Sequence, residues 1–578
     1  MMSPGFAHTH RRGIYDAVKR QPSCEIQAAP AWGPKYPKQC GWPAGHTLIA
    51  PSRTLPDHEQ QESSGGSVGS SKVIWLVIFC LALALRLFEL GNQNLWSDEW
   101  STLPVSKLAL RPMLDSLASV HSNKPPLYFL LMHYWLPWGT SEFWIRLPSA
   151  IPGALTCLIA LALGEHLLGK KHGWIMGLAL AVAPFHVYYS QEARMYALLG
   201  MFGAMAMLCT YLLAKTQQWL YALLYLVSAT LSCYTFTYGI FLILFSCIFS
   251  LCFQPRLPQR VVLITWATNL LVAGLFCPWV PRLMTTVESG RGLHPLVRGM
   301  VSDALAYSFF SLGLGTTFGP TPEQLRALGR RIFVEQPVAG GLLVGGFLAV
   351  GLVTVIGMRL LWHRSRNGFF FALIGLGVFL GCPAVANLLK PNVPYNPRYA
   401  ILAIIPLSLV FAAFAIWMLG AVVWKKVCAF LFVGCIGVSL ANNYFNPRYA
   451  RDDIRSAARF LVSLEPPPRT IFICPEFVAA TLRYYYQGST GIVPLEVVGV
   501  SVGEALKPFA GELAEGGVVA LVYTRPDHGD PQRLLPTWFK QSYQLQLEKA
   551  WTGVALYVFD TRRQAPTAVS SFGATAAR

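Results

Sequence analysis

The 578-residue sequence predicts a polytopic α-helical membrane protein, with about 11 to 13 transmembrane helices and a small C-terminal α/β extracytoplasmic domain. Three observations predict it. Hydrophobic residues make up 54% of the chain and charged residues 13%, against roughly 25% charged in a soluble protein. Mean hydropathy is +0.44. That much apolar surface cannot be hidden in one water-soluble core, so much of it faces lipid. Apolar runs of about 17 to 25 residues recur down the chain. After about residue 450 they give way to short strand-like runs and an amphipathic helix.

Taken in order, residues 1–72 are rich in Pro, Ser, Gly and Gln and read as a disordered cytoplasmic tail. The first apolar run starts at Val73, too deep for an ordinary cleaved signal peptide. Residues 73–445 form the membrane domain. Its expected spans are 73–90, 143–168, 173–189, 195–214, 219–234, 238–253, 261–281, 337–361, 368–388, 399–423 and 426–443. Two weaker stretches, 125–138 and 302–319, break the alternation if either alone spans. Pro125-Pro126 and Pro137 bracket the first, which reads as a partly inserted or juxtamembrane segment.

Orientation follows from charge. With the N-terminus in the cytoplasm, Lys170-Lys171, Lys215, Arg256 to Arg260, Arg359 to Arg366 and Lys425-Lys426 all fall inside. The loops after Glu89, around Glu192, after Arg282 and around Arg398 fall outside, as does everything after about residue 444. The expected location is a multi-pass plasma or inner membrane, with the C-terminal domain extracytoplasmic.

That domain covers 446–562, with a disordered tail at 563–578. ARDDIRSAARFLVSL reads as a helix with Ile454, Ala458, Leu461 and Leu464 near one face. RTIFICP, GVVALVYT and ALYVFD read as buried strands.

Net charge is +18, but the residues through Lys72 hold eight Lys/Arg and five Asp/Glu, only +3 of it. The excess therefore lies in the membrane body and its loops, which argues against a nucleic-acid partner. The thirteen cysteines mostly sit in apolar runs, as do Cys80, Cys157, Cys209 and Cys247, and the twelve histidines are scattered. No CxxC or Cys/His metal spacing occurs, so no structural zinc site is expected.

Four outward patches carry chemistry. Asn94-Leu95-Trp96-Ser97-Asp98-Glu99-Trp100 sets two carboxylates just past the first span, where a carboxylate can take an acceptor's proton. The same residues also read as an acidic helix start. Downstream, Leu110, Leu114, Leu117 and Val120 repeat at helical spacing, as in a helix lying along the membrane surface. Lys124, before Pro125-Pro126, is a cation for a phosphate or a snorkelling lysine. Gln191-Glu192-Ala193-Arg194-Met195-Tyr196 sets a carboxylate and a guanidinium between two apolar helices, where charge is costly and so a functional candidate. Asn396-Pro397-Arg398-Tyr399 precedes a span: Arg398 can reach phosphate oxygens and Tyr399 can pack on a sugar ring, or the pair is an interfacial anchor. Arg86 lies inside the first apolar run, where an acidic group such as Glu89 or Asp98 is its expected partner. Under the charge-derived topology all four patches share one side.

The order of DE in the first outer loop, KPPL, FxIRLPSAIPGAL (Phe143 to Leu155), YYSQEARMYAL, PWVP (Pro278 to Pro281) and NPRY resembles the GT-C superfamily. Within it, the order is most similar to PMT-type enzymes, such as protein O-mannosyltransferases and lipid A aminoarabinose transferases. The resemblance spans roughly residues 73–450. It implies inverting sugar transfer from a polyprenyl-phosphate donor to a hydroxyl of a lipid, glycan or protein acceptor, with membrane lipid as the medium. It implies Asp98 as base with Glu99 beside it, Lys124 on the carrier's phosphate, and Glu192 and Arg194 lining the same cavity. Gln191, Tyr196, Arg398 and Tyr399 join as substrate-binding candidates. Some relatives carry an acid just before KPP; here it is Asn123, so no cofactor and a metal-independent reaction are expected. The reading from another class is a transporter or flippase of lipid-linked saccharides, which should show internal repeats or paired broken helices; the sequence displays neither. A polymerase or ligase using a diphosphate-linked donor is a third, and a non-catalytic scaffold leaves the outward charge unexplained.

Overall fold

A computed structural model describes residues 68–564 apart from 120–123, 283–300, 322–323, 326–327, 390–395 and 421. Of the tails expected at 1–72 and 563–578, residues 1–67 and 565–578 lie outside the described residues, as do Asn123 and most of the loop before Asn396, whereas 68–72 belong to the first helix and 563–564 to the last strand. The described residues all fall within one compact unit. The helices that build the site are α1 (Val68–Leu87), α2 (Ser97–Lys107), α3 (Leu110–Ser119), α4 (Leu127–Trp135), α5 (Glu142–Leu168), α6 (Lys170–Ala181), α7 (Pro184–Ser190) and α8 (Tyr196–Thr216). Further apolar helices follow at Trp219–Thr235, Phe241–Cys252, Gln259–Phe276, Pro337–Arg364, Arg366–Leu389, Ile404–Met418 and Val423–Phe445.

Among the described residues, seven helices are long and apolar enough to cross a membrane: Glu142–Leu168, Tyr196–Thr216, Gln259–Arg282, Pro337–Arg364, Arg366–Ala386, Pro397–Met418 and Val423–Phe445. Large apolar side chains stand exposed along them, including Leu270, Leu348, Leu352, Val355, Phe430 and Val433. An apolar surface that broad suits lipid rather than water. The expected 173–189 span is instead two helices, because Pro184 cannot continue a helix and Ala183 is extended before it. The two weaker stretches are short. Residues 125–138 hold the nine-residue α4 and one 3-10 turn, and 302–319 holds a helix from Val301 to Leu314. At about 1.5 Å per residue neither crosses a hydrocarbon core of about 30 Å.

Close packing is set by small residues. A Cβ on Gly173 would collide with the Glu165 amide nitrogen, so α5 and α6 can meet only with glycine there. The surface helix α3 buries Met113 and Leu117, whereas Leu110 is exposed. At the far end of α5, His166 meets Lys215 and His172 meets Arg364, which gathers expected cytoplasmic basic groups on one end of the bundle.

The C-terminal region forms a five-stranded sheet in the order β2-β1-β3-β5-β4, from β1 (Thr470–Cys474), β2 (Gly491–Pro494), β3 (Val518–Thr524), β4 (Tyr543–Trp551) and β5 (Val554–Gln564). β1 runs parallel to β2 and β3, while β5 is antiparallel to β3 and β4. Helix Ile454–Val462 packs Ile454, Ala457, Ala458 and Leu461 on one face, and Leu506, Leu513, Leu535 and Phe539 cover the other. The two strands without a sequence signal are edges: β2 has four residues, and β4 is half-exposed with polar residues throughout. The domain docks on the first loop. Asn94 donates to Asp453 (2.7 Å), Arg455 pairs with Glu142 (3.1 Å), the Leu95 amide donates to the Tyr485 hydroxyl (2.9 Å), and Tyr484 packs at a tilt against Trp100.

Candidate active site

The acidic start of α2 places its two carboxylates in different surroundings. Glu99 turns inward and is fully buried. Arg146 donates to both of its oxygens, each at 2.9 Å, Arg451 pairs with Oε2, and the amides of Ala193 (2.8 Å) and Trp96 (3.3 Å) complete the set. Burial pushes the Glu99 pKa up, but the Arg146 and Arg451 charges overcome it and hold it down to about 2. Glu99 is thus an ion-pair hub. Asp98 faces the other way, with its side chain 29% exposed, and accepts from Arg398 Nη1 at 2.6 Å. Against the upward push of burial, Arg398, Arg194 and Lys124 keep its carboxyl well below the usual range.

Lys124 is half-buried beside this pair. Burial and the Arg194 charge lower its pKa to about 7, against the pull of Asp98, with Arg398 lowering it further. Arg194 donates Nη1 to the Asp98 carbonyl (2.8 Å) and Thr102 (3.1 Å), while its Nε is buried without a partner among the described residues. Arg398 likewise has a buried, unpartnered Nε, and its guanidinium lies 5.5 to 5.8 Å from the ring centres of Trp96, Tyr196 and Tyr399. Cation–π contacts of this kind hold an arginine without neutralising it. Tyr399 also packs against Phe236 and Tyr238, each at 5.4 Å.

Glu192 is fully buried, and neither of its oxygens has a hydrogen-bond partner among the described residues. Burial pushes its pKa up to about 7, although Arg451 and Arg398 oppose the shift. The structure therefore brings together Asp98, Glu99, Lys124, Glu192, Arg194, Tyr196, Arg398 and Tyr399. Gln191 points away: its amide donates to the Phe88 carbonyl at the end of α1 (2.7 Å) and accepts from Asn443 (3.2 Å), so it caps a helix.

The turn carrying these groups is held from below. Pro148 and Pro152 lie within α5, and nearby Ser149 donates to the Arg194 carbonyl at 3.0 Å. Gly153 lets Ser190 and Arg86 approach, since a Cβ there would collide with Ser190 Oγ. Arg86 has no acidic partner among the described residues, contrary to expectation. Its guanidinium takes the carbonyls of Ala82 (2.8 Å) and Ala181 (3.3 Å) and meets His186 Nδ1 at 2.7 Å. The helix break before Pro184 leaves carbonyls open, and these satisfy the charge in place of Glu89 or Asp98.

Sequence reasoning missed Arg146 and Arg451. Arg146 is a lone arginine in an apolar helix, a signal that was available. It also donates to the carbonyls of Leu90, Gln93 and Asn94, each at 2.8 Å. Arg451 carried no such signal, because it opens an amphipathic helix where a basic residue is ordinary. Among the described residues no three His, Cys, Asp or Glu side chains converge as a metal site would require.

Residues 123–281 match the dolichyl-phosphate-mannose-protein mannosyltransferase family. No curated protein matches the chain. Among solved structures, the chain is similar to apo ArnT from Cupriavidus metallidurans at 14% identity and a TM-score of 0.49, covering 86% of this chain and 100% of that one. It is also similar to the apo oligosaccharyltransferase of Archaeoglobus fulgidus, at 12% identity and a TM-score of 0.48, covering 85% and 74%. ArnT from Cupriavidus metallidurans bound to undecaprenyl phosphate gives 14% and 0.44, covering 84% and 98%. Over residues 123–281, which carry Lys124, Arg146, Glu192 and Arg194, the chain is thus similar to the dolichyl-phosphate-mannose-protein mannosyltransferase family.

Proposed function

We propose that this protein moves a sugar from a polyprenyl-phosphate donor to an acceptor hydroxyl, with inversion, on the extracytoplasmic face of the membrane. One observation carries the reading. Five cations (Lys124, Arg146, Arg194, Arg398 and Arg451) surround three carboxylates (Asp98, Glu99 and Glu192), leaving two positive charges in excess. Three of the cations, Arg194, Arg398 and Arg451, hold a buried Nε with no partner among the described residues. A phosphate supplies both the missing charge and the missing acceptors. The site sits at the ends of membrane helices, where a lipid-borne phosphate arrives, and the basic groups gathered at the other end of the bundle fit a cytoplasmic face.

In this reading the donor phosphate lies among Lys124, Arg194 and Arg398. The acceptor oxygen attacks the anomeric carbon from the side opposite the phosphate. The carbon–oxygen bond to phosphate breaks, its electron pair stays on the phosphate oxygen, and the acceptor proton passes to Asp98. The three cations stabilise the charge growing on the leaving phosphate. Asp98 is a weak base while those cations crowd it, and a bound phosphate offsets them and strengthens it. Glu192, with both oxygens open, takes a sugar hydroxyl. Tyr196 and Tyr399 wall the sugar side. Gln191 acts through the end of α1, and Glu99 positions without touching substrate. Residues 73–445 are the catalytic body and 446–562 the extracytoplasmic domain.

The test is transfer of radiolabelled sugar from a polyprenyl-phosphate donor in reconstituted vesicles, wild type beside Asp98→Asn. Donor consumption that vanishes in the variant is the expected result. No consumption by wild type across donor and acceptor panels overturns the reading and returns lipid translocation as the activity to assay.

A further inference from the structure

Glu99 pairs with Arg146 of the membrane body, yet its second oxygen is also taken by Arg451, which lies beyond the last membrane helix. The position of Arg451 is set by the C-terminal domain. The next residue, Asp452, accepts from Arg525 Nε at 2.5 Å, at the carboxyl end of β3. The Asp453 amide donates to the Thr552 carbonyl (2.8 Å) in the turn between β4 and β5. Arg525, held in a left-handed backbone conformation (φ 43°), places its guanidinium 5.6 Å from the Trp96 ring, which also carries Arg398. From Glu99 the contacts run to the amides of Trp96 and Ala193, and so to the backbone that presents Asp98, Glu192 and Arg194.

We propose that Arg451 is a positioning residue of the transfer site, through which the docked C-terminal domain fixes Glu99 and hence the backbone carrying Asp98, Glu192 and Arg194. The inference rests on the transfer reading above. It makes the C-terminal domain part of the active site, so the site is complete only when that domain is seated. Three observations support it. Arg451 is 9% exposed and Glu99 is buried, so the pair is shielded from solvent and little screened. A second cation on Glu99 is redundant for charge, since Arg146 already binds it at both oxygens. Arg451 is also the first cation that opposes protonation of Glu192.

The test uses full-length protein in vesicles, with Arg451→Gln, Arg451→Lys and the double variant Glu99→Gln/Arg451→Gln. Arg451→Gln should lower kcat by about 100-fold, the scale of an ångström's misplacement, with donor KM changed by less than about twofold. Arg451→Lys should recover at least about tenfold of that loss. Protonation of Glu192 should move to higher pH in Arg451→Gln, carrying its limb of the kcat profile with it. A merely structural contact would move neither the pH limb nor kcat apart from KM. Arg451→Gln strands no buried charge, because Arg146 still binds Glu99 at both oxygens, so it is expected to fold, whereas the double variant leaves Arg146 buried without its anion. Wild-type turnover in the double variant, or turnover within about threefold and an unchanged profile in Arg451→Gln, overturns the inference. Hydrogen exchange at the Trp96 and Ala193 amides provides a readout independent of activity. Faster exchange in Arg451→Gln is expected, and unchanged protection overturns the proposal. Should wild type transfer no sugar, the functional reading fails, while the exchange result still decides whether Arg451 holds Glu99.

Discussion

Asp98→Asn replaces a carboxylate by an amide of the same shape, so it removes charge and basicity while keeping volume. Asp98 forms its ion pair with Arg398, at 2.6 Å, with side-chain exposures of 29% and 17%. Such a pair lies between the exposed class, at about 0.2–1 kcal/mol, and the buried class, at about 3–5 kcal/mol. The amide oxygen still accepts from Arg398, and three aromatic rings still hold the guanidinium, so the expected stability loss is about 1–2 kcal/mol. The chemical loss is larger. A positioned general base contributes about 10²- to 10⁴-fold, which at about 1.36 kcal/mol per tenfold is roughly 2.7–5.4 kcal/mol of barrier. The binding term has the opposite sign: without Asp98, Lys124, Arg194 and Arg398 are freer to hold phosphate, so donor KM should stay level or fall. The assay is initial rate against donor concentration in vesicles, with folding checked by size-exclusion profile. A kcat within about tenfold of wild type, or a raised KM at constant kcat, would refute the assignment.

Glu99→Gln should do the reverse, costing about 3–5 kcal/mol of stability because it leaves Arg146 and Arg451 buried without their shared anion; an unchanged melting temperature would sink that reading. Lys124 is charged below its pKa of about 7 and neutral above it, so donor affinity should weaken as pH rises through 7, by up to about tenfold per unit. The Lys124→Arg variant keeps its charge across that range and should flatten the slope; a pH-independent donor KM in wild type would count against phosphate binding by Lys124. Gly153→Ala drives a Cβ into Ser190 Oγ, and overpacking of this kind costs about 1–3 kcal/mol. It should slow turnover by displacing the 190–194 turn, while Gly345→Ala, with nothing within 4 Å, serves as the neutral control. Equal activity and melting temperature in the two variants would show that close approach at Gly153 is not needed.

Much of the fold was legible because its signals are local. A run of apolar residues states its preference for lipid wherever it sits, and a proline ends a helix by its own geometry. The strands RTIFICP, GVVALVYT and ALYVFD were readable because β1 and β3 are buried throughout and so run continuously apolar. β2 and β4 escaped, being a four-residue edge and a strand dotted with polar residues. The break inside the expected 173–189 span was marked by Pro184, although overall hydropathy hid it.

The sequence by itself determined a membrane body with a C-terminal α/β region, and it set Glu192 and Arg194 apart as charges costly near lipid, with Asp98, Lys124 and Arg398 as further candidates that also had ordinary readings. Only the tertiary structure decided what each charge faces. It separated Asp98 from its neighbour Glu99, turned Gln191 into a helix cap, satisfied Arg86 with carbonyls, and brought in Arg146 and Arg451. The reason is distance along the chain. Glu99 meets partners 47, 94 and 352 residues away, and Asp98 meets Arg398 at 300. Burial and the sign of a neighbouring charge decide whether a carboxylate is a hub, a base or a neutral acid, and both belong to the packed structure rather than to the residue.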